Sequence, residues 1–207
     1  MPGRNIVKTD SPDTFYHVYA RGQRKTSIYQ DDEDYRVFLN LFKRYLGKEV
    51  CKDPFGRCYP NFQNEIELTC YCLMSNHFHL LLFQKELGAM TKLMKNILTS
   101  YSRYFNKKYH YSGSLFETTY KASTIMSDQY LLHISRYIHI NPDKWEKYPY
   151  SSLVYFTKHK EPNWLNSRRV LDLFDSTADY VVFLKDYDDY KKSLEMLVSE
   201  LANTIIV

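Results

Sequence analysis

Cys70-Tyr-Cys-Leu-Met-Ser-Asn-His-Phe-His-Leu-Leu-Leu-Phe-Gln84 is the stretch that decides the fold. Two apolar runs flank one polar pair, Ser75-Asn76. Glu65 to Met74 and His77 to Phe83 therefore read as two strands joined by a two-residue turn, an antiparallel hairpin. His77 and His79 are spaced i, i+2, so they leave the same face of the second strand, while Phe78 points the other way into apolar packing. Two imidazoles on one side of a rigid strand can grip a divalent metal. The same pattern also suits half-buried histidines on a wet sheet surface, and taken alone it leaves both readings open.

Composition narrows the choice. At 207 residues the chain holds one large domain, or one domain with an appendage, and can bury a core without staples. It has no apolar run long enough to span a bilayer and no apolar leader, which points to the cytoplasm. Its four cysteines, Cys51, Cys58, Cys70 and Cys72, are expected as reduced thiols in a chain with no export signal, and as a zinc site their spacing matches no common knuckle or ribbon. The net charge of +4 is unevenly spread: residues 161–207 carry 5 Lys+Arg against 9 Asp+Glu, which leaves 23 against 15 in residues 1–160. A basic body with an acidic tail suits a polyanion binder, and some of the 20 tyrosines could stack unpaired bases.

Outward from the hairpin, Thr14 to Arg21 reads as a first strand leaving through Gly22, with His17 either joining the histidine pair or lying in the sheet as an ordinary histidine. Asp31 to Leu46 has an acidic first turn and Tyr35, Phe38, Leu39, Phe42 and Tyr45 at helical spacing. Residues 51–63 form a proline-containing loop. Leu87 to Tyr109 returns to helical periodicity, burying Met90, Met94, Ile97, Leu98, Tyr101 and Phe105. Its other side presents Lys92, Lys95, Arg103, Lys107 and Lys108, a solvated surface or a phosphate-tracking face. A fourth, edge-like strand falls between Tyr109 and Met126, and Lys121 in it would suit a phosphate contact. A helix capped by Ser127 or Asp128 follows and runs to about Ile140. Pro142 should stop it by driving Asn141 out of the helical region. Tyr137 and Asn141 share one side if the last turn stays helical. Arg168 to Val207 reads as one or two further helices, ending in Leu194, Leu197 and Leu201.

Two segments together carry a family resemblance: Ser75-Asn-His-Phe-His-Leu-Leu-Leu82, and about sixty residues later Ser135-Arg-Tyr-Ile-His-Ile-Asn-Pro142. They resemble the single-tyrosine HUH transposases, closest to the REP-associated tyrosine transposase branch. Tyr101-Ser-Arg-Tyr-Phe-Asn-Lys-Lys108 is similar to that family's basic helix, and Gly113-Ser-Leu-Phe-Glu-Thr-Thr-Tyr-Lys121 to another of its segments, with Phe116-Glu117 and Thr119 where relatives often have Trp-Gln and Arg. The likeness spans about residues 14–156.

The resemblance implies an α+β fold, an antiparallel sheet with helices on one face (ferredoxin-like), occupying residues 1–160 and followed by an acidic helical extension, 161–207. It implies His77 and His79 as metal ligands, Asn141 as a third, Tyr137 as nucleophile and Mg²⁺ or Mn²⁺ as cofactor. It also implies single-stranded or hairpin DNA as partner, a homodimer or a monomer, and a 5′-phosphotyrosine intermediate. Lys121 or Arg136 could ease ionisation of the phenol, and Arg136 joins the basic residues expected to meet DNA. Two alternatives remain: a relaxase-like or replication-initiator nickase, and a noncatalytic hairpin-binding protein or repressor.

Overall fold

The computed structural model describes residues 10–186. Its elements run β1 (Thr14–Arg21), α1 (Asp32–Leu46), β2 (Ile66–Met74), β3 (His77–Gln84), α2 (Ala89–Tyr109), β4 (Lys121–Ile125), α3 (Asp128–Ile140), α4 (Leu153–Thr157), α5 (Arg168–Leu171) and α6 (Thr177–Lys185). The strands form one antiparallel sheet in the order β2-β3-β1-β4, the α+β arrangement expected from the sequence. β2 and β3 meet across Ser75-Asn76 with Met74 paired to His77.

Alternation along each strand separates two cores. Tyr16, Val18 and Ala20 of β1 and Phe78, Leu80 and Leu82 of β3 point to one face, where Phe38, Phe42 and Tyr45 of α1 and Met90, Met94 and Ile97 of α2 cover them. Cys70, Cys72 and Leu81 point to the other, where Leu131, Ile134 and Ile138 of α3, Phe156 of α4, Val170 of α5 and Tyr180 and Leu184 of α6 pack. The two helices that complete the ferredoxin-like unit thus share one face, and the helix carrying Tyr137 lies on the opposite one.

Asp31 caps α1 in a capping box with Asp34, which explains the acidic first turn. At the exit of β1, a Cβ on Gly22 would sit 2.2 Å from the carbonyl oxygen of Thr26, so only glycine fits there. The described part of the expected acidic extension, residues 161–186, contributes Leu165 to one core and Val170, Tyr180 and Leu184 to the other. The expected helix through Leu194, Leu197 and Leu201 and the N-terminal residues 1–9 lie outside the described residues. Among the described residues, no helix is long and apolar enough to cross a membrane.

Candidate active site

Residues directly opposite each other in an antiparallel pair share a face. The register sets His79 opposite both Cys72 and Tyr19, and Tyr19 opposite Lys121. One row, Cys72-His79-Tyr19-Lys121, therefore crosses the sheet beneath α3, and His77 and Arg21 form the next row at the rim. His17 lies deeper on the same face, with its Nε2 2.9 Å from Nδ1 of His79. The His77 ring stands edge-on to His79 at 5.0 Å between centroids, and its Nδ1 donates to Oδ1 of Asn76 at 2.6 Å.

α3 begins where the Ser127 hydroxyl accepts from the amide of Tyr130. Leu131, Ile134 and Ile138 seat it on the sheet, which leaves Tyr137 half-buried over the histidines. The Tyr137 ring is edge-on to His79 at 5.1 Å and to His17 at 5.9 Å. The expectation that Pro142 would force Asn141 out of the helix is corrected: Asn141 has φ −57° and ψ −40°. One turn beyond Tyr137, its side chain influences the ionisation of both Tyr137 and His77. Keeping the turn helical is what holds Tyr137 and Asn141 on one side.

The back of α3 is fastened by its other residues. His139, fully buried, sits between the Tyr180 hydroxyl at 2.6 Å (Nδ1) and the Ser152 hydroxyl at 2.8 Å (Nε2). Ser152 Oγ in turn accepts from the amide of Tyr71 on β2. One ring thus ties the helix to α6 and to the sheet. Arg136 is corrected as a DNA or phenol contact: it is 1% exposed, and its guanidinium donates to the carbonyls of Phe183 and Asp186 and to Nδ1 of His133.

Burial sets the electrostatics. It lowers His17 to about 4 and holds His79 well below the ordinary imidazole value, where the neighbouring His17, His77 and Arg21 charges act in the same direction. His77 is lowered by burial and by Arg21, against a contrary effect of the Asn141 side chain. Neutral rings keep a lone pair for a metal; Nδ1 of His77 bonds Asn76 and Nδ1 of His79 faces His17. Among the described residues no group of three His, Cys, Asp or Glu side chains is placed to hold a metal ion. The residues expected to hold one, the His77 and His79 imidazoles and the Asn141 amide, are neutral donors. Tyr137 is raised by burial and eased by the Asn141 side chain and by the charge of Arg21.

The other expected basic residues fall in three places. Lys121 is on the site face, its Nζ 5.7 Å from the centre of the Tyr19 ring. Lys92, Lys95, Arg103 and Lys107 are exposed on α2, across the sheet from Tyr137. Lys95 and Arg103 line an open groove of about 1000 Å³ between α2 and the 114–120 segment. Lys108 is corrected as a phosphate contact, because its ammonium is shared by Asp31, Glu33 and Asp34 at 2.8 to 2.9 Å. Sequence reading missed Tyr19 and Arg21, although the alternation 17, 19, 21 along β1 places both on the histidine face once β1 is paired with β3.

A four-stranded antiparallel sheet carrying paired histidines beneath a tyrosine helix defines the class to which comparison also leads. The family described as Transposase IS200 like matches residues 16–141, more than half of the chain, and the chain belongs to that family. Among solved structures it is similar to one described as a REP-associated tyrosine transposase bound to a REP hairpin. The two share 12% identity and a TM-score of 0.50, over 72% of this chain and 82% of that one, a likeness of fold. A search of curated proteins found no match.

Proposed function

We propose that this transposase-family chain cleaves and rejoins single-stranded DNA beside a hairpin, with Tyr137 as nucleophile and a divalent cation, Mg²⁺ or Mn²⁺, at His77, His79 and Asn141. The observation that carries the reading is the Tyr137 ring 5.1 Å from that of His79, with Asn141 held in helical geometry one turn beyond Tyr137. The hairpin found with the solved relative supports a hairpin substrate here. The exposed Lys92, Lys95, Arg103 and Lys107 of α2 would track its phosphates, while Lys121 serves the site face.

In the cleavage step the Tyr137 oxygen forms a bond to phosphorus and the bond from phosphorus to the 3′ oxygen breaks. The phenol proton leaves to solvent, and the departing 3′ oxygen gains one. The product is a 5′-phosphotyrosine and a free 3′-hydroxyl, and attack by a 3′-hydroxyl reverses the step without a nucleotide cofactor. A bound cation would supply charge neutralisation at the phosphate. The chain's own residues do the rest. His17 orients His79, Asn141 positions the phenol, and the packing of α3 keeps water from the buried side of the ring. Ionising an ordinary tyrosine at pH 7 costs about 4 kcal/mol, and burial adds to that, so nearby positive charge is required.

Such a protein would work in the cytoplasm, where its DNA lies. The test is incubation with a labelled hairpin oligonucleotide and Mn²⁺. A covalent, SDS-resistant and protease-sensitive adduct is expected from the wild type and none from Tyr137→Phe. Tight hairpin binding with no adduct would leave the noncatalytic binder as the better reading.

A further inference from the structure

The proposed ligands would add no charge of their own to that of a bound cation, so any further positive charge at the phosphate must come from the chain's basic residues. Two neutral imidazoles and an amide carry no charge, while the phosphodiester brings one negative charge and gains more as the bond to phosphorus forms. Of the basic residues on or next to the site, Arg136 is turned into α6 and Lys121 stands at the Tyr19 ring on the outermost strand. Arg21 remains.

Its placement is fixed by the backbone. Arg21 is directly opposite His77, so the two side chains leave the same face with their Cβ atoms about 5 Å apart. The carbonyl of Arg21 accepts from the amide of Glu117 at 3.0 Å, and the next amide, that of Gly22, donates to Asn76 at 2.8 Å. The root of the side chain is therefore held from both sides, while the side chain itself is exposed at the rim and forms no ion pair among the described residues. His79, behind it, is buried. A polyanion approaching the histidines reaches Arg21 first.

We propose that Arg21 is a further catalytic residue, its planar guanidinium holding the non-bridging oxygens of the scissile phosphate beside Tyr137. A guanidinium suits this role better than an ammonium, because its fork matches two phosphate oxygens at once.

The inference rests on the proposed cleavage reaction, and the experiment separates the two. Single-turnover adduct formation with a hairpin oligonucleotide and Mn²⁺ is measured for wild type, Arg21→Ala, Arg21→Gln and Arg21→Lys, with hairpin affinity by fluorescence anisotropy. Both neutral variants are expected to slow the step about 100-fold, to bind the hairpin nearly as well as wild type, and to recover part of the rate in added guanidinium ion. Arg21→Lys should fall between. With an uncharged methylphosphonate at the scissile position, the gap between wild type and Arg21→Gln should shrink. An unchanged rate, or a loss confined to affinity with no rescue, overturns the role of Arg21 and makes it a DNA-tracking residue. Absence of any adduct from wild type overturns the cleavage reading and this inference with it.

Discussion

His17 and His79 meet nitrogen to nitrogen at 2.9 Å, from neighbouring strands and with the whole α1-β2 segment between them in sequence. If Nδ1 of His79 donates this bond, its Nε2 is left as the metal-facing lone pair, so His17 selects the useful tautomer. Replacing His17 by Phe, which keeps the ring but not the acceptor, should weaken Mn²⁺ binding about 10- to 100-fold in an EPR titration, with melting little changed. Undiminished Mn²⁺ affinity would show that His79 needs no such partner.

Tyr137 lies over histidines of its own chain, 5.1 Å from His79. A mixture of His79→Ala and Tyr137→Phe proteins is accordingly expected to form no adduct, since neither chain holds a complete set. Activity regained on mixing would reveal an exchange of α3 between chains.

The His139 bridge should be felt in stability. Tyr180→Phe removes one hydroxyl and should cost about 1 kcal/mol. His139→Ala removes both bonds and opens a cavity beside Phe156 and Tyr180, for a loss of about 3 kcal/mol. Denaturant unfolding of the two variants measures both.

Lys108 and Arg103 differ in kind despite their shared helix. Lys108→Ala should lower the melting temperature and leave hairpin affinity unchanged, because its charge is spent on Asp31, Glu33 and Asp34. Arg103→Ala should do the reverse, and should reduce the slope of log affinity against log salt by about one unit.

Asp34 gives the sign of one pH effect. Burial alone would raise it, but bonds from the Gln30 amide, Lys108, Tyr109 and Tyr104 leave it below the ordinary value of 3.8. A carboxyl lowered in the folded state binds fewer protons there than in the unfolded chain. Its contribution is therefore complete above about pH 4 and is lost as pH falls through the lowered value. Circular dichroism across pH 2–5 should show a shallower acid dependence for Asp34→Asn.

Much of this was readable from one dimension. β1, β2, β3 and α3 were placed within a residue or two because alternation and helical spacing are local, and the Ser75-Asn76 turn left one way to join its strands. The histidine pair followed from the same parity. Arg136 and Lys108 were misjudged for the opposite reason. Periodicity tells which residues share a side, but only residues 183 and 186 reveal that Arg136 has carbonyls waiting, and only the first turn of α1 reveals the carboxylates around Lys108. Arg21 needed the pairing of β1 with β3. Asn141 keeps helical dihedrals directly before Pro142, against the local steric rule.

The Ser75-Asn76 connection also constrains how this protein can change over generations. An extra residue there would slide β3 by one step and exchange the imidazoles for Phe78, sending the chemistry into the α1-α2 interior. The 47–65 connection, at the other end of the strands, faces no such demand. An insertion is expected to be tolerated at that far end and not within the two-residue hinge.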